Sequence, residues 1–232
     1  MQQLGLEALV LTDTARFETF WPGKINSTTM TAVAELSRGA GEPLVYVHGP
    51  RGVGKTHLAK AAWRSAVEQG RRSAYLPLDQ ALMLDPVLVE GWGELDLAVI
   101  DALESIAGYS AWERALFRLT EELRERGAGL LVLSRAPPDS VGLELADLAS
   151  RLAWGPIYGL EPLDDTELVR LARHLAHRHG LELPPATAVF LVNRLMRDPA
   201  AVVAAMAKLD VAALTAQRRL TTPFVRSVLF SD

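Results

Sequence analysis

The sequence predicts an α/β fold: a parallel sheet covered by helices and holding a phosphate-cradling loop, followed by a small all-helical domain. Three observations predict it. Short apolar runs alternate with helical patterns across roughly the first two-thirds of the chain, the signature of a helix-covered parallel sheet. The run Gly49-Pro50-Arg51-Gly52-Val53-Gly54-Lys55-Thr56 spells G-x-x-x-x-G-K-[ST] between one such strand and one such helix. After Pro162 the strand pattern stops and only amphipathic helical patterns remain.

Taken in order, residues 1–15 read as a loose tail with scattered leucines. Arg16-Phe17-Glu18-Thr19-Phe20-Trp21-Pro22-Gly23 is aromatic and ends in a turn signal. A helix is expected from Ser27 to about Ser37. Strands are expected at Leu44–His48, Ser73–Leu76, Leu97–Asp101, Leu130–Ser134 and Ile157–Leu160. Helices are expected over 55–69, 86–92, 111–126 and 143–152. Asp164-Asp165-Thr166-Glu167 is a capping box opening a helix to about His179. Pro184-Pro185 starts another, residues 199–217 form a third and Thr222-Pro223 opens a fourth. The domain reading is therefore a tail over 1–15, a nucleotide-binding α/β domain over 16–162 and a helical domain over 163–232.

The phosphate loop needs each residue type at its place. Gly49, Gly52 and Gly54 let the backbone turn tightly and bring N–H groups up to phosphate oxygens, with Pro50, Arg51 and Val53 completing the turn. Lys55 reaches the β- and γ-phosphates, and the Thr56 hydroxyl can ligate Mg²⁺. The helix that begins here, with His57 in its first turn, adds its dipole to anion binding. Phe17, Phe20 and Trp21 suit either an adenine pocket or plain core packing.

Bulk composition narrows the classes. The chain has 232 residues, 49% hydrophobic and 22% charged, with a net charge of -4. A whole-surface nucleic-acid binder is usually basic, so DNA contact is expected to be local or borrowed from a partner. Cysteine is absent, which excludes disulfides and thiolate metal sites and suits a reducing cytoplasm. No apolar run is read as reaching membrane-spanning length, so no membrane role is expected. His174, His177 and His179 lack an acid or cysteine at metal-site spacing and read as a solvated helix face. Arg218-Arg219 suit either phosphate contact or the C-terminal dipole of the preceding helix.

Leu97-Ala98-Val99-Ile100-Asp101 is an apolar strand ending in an acid, and Asp101 there can hold Mg²⁺ together with Thr56. Hydrolytic enzymes of this kind usually place a second acid next to it, to orient the attacking water. Here that position is Ala102, and Glu104 lies out of register. Without a positioned base, water attack loses about 10²–10⁴-fold.

At this point the chain resembles the AAA+ proteins of the DnaA group and, within it, the family of DnaA regulatory inactivators. The likeness is carried by Phe17-Glu18-Thr19-Phe20-Trp21-Pro22-Gly23, Gly54-Lys55-Thr56-His57-Leu58 and Val99-Ile100-Asp101. It continues in Leu148-Ala149-Ser150-Arg151-Leu152-Ala153-Trp154-Gly155 and in Thr215 to Phe224, and spans essentially the whole chain. The resemblance implies a P-loop AAA+ sheet with a helical lid and a nucleotide-binding set of Gly49, Pro50, Arg51, Gly52, Val53, Gly54, Lys55, Thr56, His57 and Phe20. It implies ADP (or ATP) with Mg²⁺ as cofactors. Arg151 matches the family's arginine finger, which acts in trans on nucleotide held by a neighbouring subunit. Spacing alone would pair Arg151 with Asp147 or Glu144.

Two family positions differ. The sensor strand ends in Ser134-Arg135 where DnaA-like chains carry Ser-Asp, and the lid's sensor arginine aligns with Ala200, Arg197 lying almost one turn earlier. These departures, with Ala102, imply nucleotide binding with weak self-hydrolysis. Gln3-Leu4-Gly5-Leu6 matches the start of the Q-L-x-L peptide that family members insert into the polymerase sliding clamp: Gln3, Leu4 and Leu6 would be the contacts, although Glu7-Ala8-Leu9 replaces the usual continuation. The expected function is negative regulation of replication initiation. The expected partners are DnaA and the DNA-loaded sliding clamp, with DNA reached mainly through the clamp, in a cytoplasmic monomer or weak homo-oligomer. The alternative is an autonomous AAA+ ATPase such as a helicase loader; a small-molecule kinase fits the helical C-terminal domain poorly.

Overall fold

The computed structural model describes residues 15–230. Gln3, Leu4 and Leu6 lie outside the described residues. The rest divides into two compact units: one holds residues 15–49 with Lys55–Leu160, the other Pro50–Gly54 with residues 161–230.

The first unit is built on five parallel strands: β1 (Leu44–His48), β2 (Ser73–Pro77), β3 (Leu97–Asp101), β4 (Gly129–Ser134) and β5 (Ile157–Gly159). Their order is β2-β3-β4-β1-β5. Every residue of β3 and β4 is buried, as expected of central parallel strands covered on both faces. Register pairs Leu44 with Leu130 and His48 with Ser134. One further bond, Gly49 N–H to the Ser134 carbonyl at 3.2 Å, carries the ladder into the phosphate loop.

Helix α1 (Ser27–Ser37), which precedes β1, and the crossover helices α2 (Lys55–Glu68), α4 (Ser110–Glu125) and α5 (Ala146–Leu152) fall close to the expected spans. The Arg71 guanidinium donates to the carbonyls of Leu36, Ser37 and Asp96 at 2.7–2.9 Å, satisfying the open end of α1. Three readings change. The helix expected over 86–92 is two 3₁₀ turns, Pro86–Val89 and Trp92–Glu94, separated by Gly91 at φ 81. A four-residue helix, α3 (Leu78–Ala81), follows β2 with no sequence signal to announce it. Helix α5 begins at Ala146 rather than 143, because the backbone N–H groups of Glu144 and Leu145 donate to the buried Glu113 carboxylate at 3.1 and 2.6 Å. Gly108 N–H donates to the same carboxylate at 2.8 Å.

The second unit packs α6 (Asp165–Arg178), α7 (Pro185–Val192), α8 (Pro199–Ala216) and α9 (Thr222–Leu229). Asp164 caps α6 by accepting from Glu167 N–H at 2.7 Å, as the capping box predicts. Asp198 caps α8 through Ala200 N–H at 2.8 Å, and Thr221 caps α9. Leu168, Leu171, Leu191, Val202, Met206 and Leu209 form its core. Helix α8 corrects the reading that no apolar run is long enough to span a membrane: at 18 residues it passes that test of length and composition. Its Val202, Ala205, Met206, Leu209 and Ala213 are instead buried in the helical unit.

Glu113 is fully buried and holds three backbone donors at once. Glu113→Ala would leave those N–H groups unsatisfied, at about 1–3 kcal/mol each before relaxation. A urea titration should show a loss of about 3 kcal/mol or more; a loss below 1 kcal/mol would mean that water replaces the carboxylate.

Candidate functional site

Sheet topology decides where chemistry can sit. Gly49, Asp101 and Ser134 all lie at the carboxyl ends of neighbouring parallel strands, where open α/β sheets bind ligands. Within the loop, Gly52 and Gly54 hold φ 83 and 102, backbone angles that favour glycine. Lys55 opens α2, and its ammonium donates to the Gly49 carbonyl at 2.6 Å.

Asp101 is buried at the end of β3. Its carboxylate accepts from the Tyr75 hydroxyl at 3.1 Å and from Ala102 N–H at 2.9 Å, and is hydrogen-bonded by Thr56. Burial raises its pKa above the usual carboxylate range, against the lowering effect of the bonds from Thr56, Tyr75 and Ala102. Thr56 and Asp101 thus bring two hard oxygen donors together. Among the described residues no group of three or more metal-ligating side chains forms. The pair fits Mg²⁺, which takes one or two protein oxygens and completes its shell with water and phosphate. Tyr75 is a site residue that the sequence reading missed, because nothing in β2 itself points at Asp101.

The expected nucleotide-binding residues His57 and Phe20 do meet: their rings lie 5.6 Å apart. His57 Nε2 is also 3.1 Å from the Thr19 hydroxyl and 3.0 Å from the Arg16 carbonyl, tying the aromatic N-terminal segment to the first turn of α2. Ala102 holds φ 59 and ψ 46, a left-handed conformation that costs a non-glycine residue about 1 kcal/mol. Its methyl offers no acid. Glu104 is engaged elsewhere, contacting Arg135 Nε at 2.8 Å and accepting Arg135 N–H at 3.1 Å. Ser134 is buried and accepts from Ala136 N–H at 3.3 Å. In the helical unit, Ala200 is exposed beside the Asp198 cap, and Arg197 pairs with Asp165 at 3.1 Å. His179 pairs with Asp210 at 2.8 Å.

Arg151 sits apart from this group. It lies in the last turn of α5, its guanidinium stacked on Trp154 at 4.0 Å and facing Phe117 at 5.9 Å. Its acidic contact is Glu121, at 2.9 Å, and not Asp147 or Glu144. The two atoms are close but not aligned for a hydrogen bond, so this is a charge contact only. Arg124 approaches the same indole at 4.9 Å. Gly155 packs so tightly on the Leu44 carbonyl that a β-carbon would overlap it. The Arg151–Gly155 segment is therefore anchored at the amino end of β1, roughly 15 Å of strand away from the phosphate loop at its carboxyl end.

The buried carboxyl predicts a pH dependence. Asp101 has a higher pKa folded than unfolded, so its contribution is fully present below its unfolded value of about 4 and is lost as pH rises through its folded value. Asp101→Asn cannot ionise. Without ligand it should gain stability relative to wild type as pH rises from about 3 to 7; parallel stability curves across that range would contradict the assignment.

Residues 164–229 match the family described as the Hda lid domain, and residues 11–83 match the bacterial DnaA ATPase domain. Domain III of the Thermotoga maritima replication initiation protein DnaA superposes with a TM-score of 0.76 at 25% identity, covering 93% of this chain and 95% of that one. AMPPCP-bound DnaA from Aquifex aeolicus superposes at 0.75 with 20% identity over 94% of this chain and 74% of that one. The Thermotoga maritima RuvB branch migration motor superposes at 0.67 with 17% identity over 92% and 72%. A DnaA-type ATPase domain implies nucleotide binding. The chain thus joins a DnaA-type ATPase domain to an Hda lid domain, in an AAA+ fold of the DnaA kind.

Proposed function

We propose that this protein is a negative regulator of chromosomal replication initiation: a nucleotide-bound AAA+ protein that docks on the DNA-loaded sliding clamp and stimulates hydrolysis of ATP held by DnaA, leaving inactive ADP-DnaA. The observation that carries the reading is the position of Arg151. It stands at the amino edge of the sheet, while Lys55 and Asp101 stand at the carboxyl edge of the same strands. An arginine so placed serves a nucleotide on another molecule better than its own.

The roles divide accordingly. The backbone of Gly49 to Gly54 with Lys55 and His57 holds the phosphates of ADP or ATP. Phe20 packs beside the base, and Thr56 and Asp101 hold Mg²⁺, which neutralises phosphate charge when bound. Ser134 reads the end of the phosphate chain from the sensor strand. Ala102 supplies no base and Glu104 is tied to Arg135, which supports slow turnover of the protein's own nucleotide. Arg151 leaves Trp154 and brings its charge beside the γ-phosphate on DnaA. Gln3, Leu4 and Leu6 seat the tail in the clamp of a cytoplasmic protein, and that tethering raises local concentration so that a weak contact with DnaA suffices.

Two experiments test this. With clamp and DNA present, Arg151→Ala should lower stimulated DnaA ATP turnover about 10³-fold or more while leaving nucleotide binding by this chain intact. Stimulation equal to wild type would end the finger assignment, and intrinsic turnover near 1 s⁻¹, a typical enzyme rate, would instead favour an autonomous ATPase. In a clamp pull-down, Gln3→Ala combined with Leu4→Ala should abolish capture; undiminished capture removes the tail from the proposal.

A further inference from the structure

Arg151 does not hold its resting seat alone. Arg124, in the last turn of α4, lies 4.9 Å from the Trp154 ring and 3.5 Å from the Glu121 carboxylate. Arg151 lies 4.0 Å from the same ring and 2.9 Å from the same carboxylate. Two guanidiniums thus share one indole and one acid. They divide the acid between them: Oε1 faces Arg151, and Oε2 faces the half-exposed Arg124. Neither arginine takes both oxygens in the paired geometry that makes such contacts strong. Glu121 Oε1 and Arg151 Nε are buried without a hydrogen-bond partner. Beside them is a cavity of about 190 Å³, lined by Leu123, Leu130, Trp154 and both arginines among others.

We propose that Arg124 is a positioning residue for Arg151: it keeps the seat loose while Arg151 occupies it, and it holds Glu121 and Trp154 once Arg151 has left. This role rests on the reading of Arg151 as the group that acts on ATP held by DnaA. Two effects produce it. At rest both cations end on one ring, close enough to repel each other. Arg124 also occupies the oxygen that would let Arg151 grip the carboxylate with two parallel bonds. On departure, Glu121 without Arg124 would be a largely buried carboxylate with no cation, which is a costly state. Arg124 stands three residues from Glu121 on one helix face, with the cavity beside it. Side-chain rotation alone therefore lets it take up both contacts. A seat made of Glu121 and Trp154 only would hold the finger more tightly and release it less readily.

Phenylglyoxal, a dicarbonyl that condenses with accessible guanidinium groups, reads the seat without DnaA. Labelling of Arg151 in the full chain is followed by peptide mass spectrometry. In Arg124→Gln it should be about threefold slower than in wild type, the size of one like-charge contact near a surface. Arg124→Lys keeps the charge and should label like wild type. Arg124→Gln combined with Glu121→Gln should regain the wild-type rate or exceed it, because the acid that grips Arg151 is gone. With clamp and DNA present, Arg124→Gln should lower the maximal rate of stimulated DnaA ATP turnover about threefold at an unchanged half-saturating concentration. Arg124→Lys should restore that rate. Labelling of Arg151 as fast in Arg124→Gln as in wild type, or an unchanged maximal rate, would overturn the role. So would a loss confined to the half-saturating concentration, since Arg124 would then simply touch DnaA. Failure of the finger reading itself shows separately, as full stimulation by Arg151→Ala.

Discussion

The register of β1 between β4 and β5 is the constraint on which the rest of this structure depends. Five parallel strands in one sheet point every carboxyl end the same way. Gly49, Asp101 and Ser134 are thereby brought to one edge although they are far apart in sequence. The same register sends the α5–β5 connection back to the amino edge, where Gly155 seats against Leu44. One covalent chain thus presents a phosphate-facing edge and an arginine-bearing edge with a buried sheet between them. Neither can drift toward the other without breaking the β1–β4 and β1–β5 ladders.

Two buried carboxylates show how differently the same group is used. Glu113 has no exposure and accepts three backbone N–H bonds, so it acts as a fastener: it fixes the segment after β3 to the start of the helix that carries Arg151. Asp101 is also buried, but burial outweighs its hydrogen bonds and pushes its proton affinity up. A carboxylate held at a cost in this way is one that a cation relieves. The two acids also differ in their partners: Glu113 is filled by three backbone donors, whereas Asp101 stands beside the Thr56 hydroxyl at the carboxyl edge of the sheet.

Much of this was legible in the sequence. The strands and the phosphate loop were, because buried parallel strands are continuous apolar runs and the glycines mark the turn. The apolar spacing of the 86–92 segment suits a helix, but Gly91 in a left-handed conformation breaks it into two turns. The start of α5 is not legible locally, because its limit is set by Glu113, a residue some thirty positions earlier, and no local pattern carries that. At the candidate site, the placement of Lys55, Thr56 and Asp101 at the strand ends is legible from spacing, but the contacts of Tyr75 and Glu121 are not, since each reaches its partner only through the sheet or the face of α4. Lys208 and Asp210 interrupt the apolar run of α8 in the sequence, while in the helix they sit on the flanks.

The resting position of Arg151 raises a question of magnitude. Its guanidinium is stacked on an indole and faces Glu121 across a partly exposed contact. A cation over an aromatic ring is worth about 0.5–2 kcal/mol, and a partly exposed ion pair about 0.2–1 kcal/mol. Leaving that seat therefore costs about 1–3 kcal/mol. An arginine finger contributes 10³–10⁵ in rate, which is about 4–7 kcal/mol of transition-state stabilisation. The second quantity exceeds the first, so the seat does not prevent the proposed role. It does keep the guanidinium ordered, against Trp154 and Glu121, when no γ-phosphate is near. In the proposed role, Arg151 departs only for a site that develops enough negative charge to outbid Trp154 and Glu121 together, and a transferring phosphoryl group meets that condition where an ordinary surface carboxylate does not.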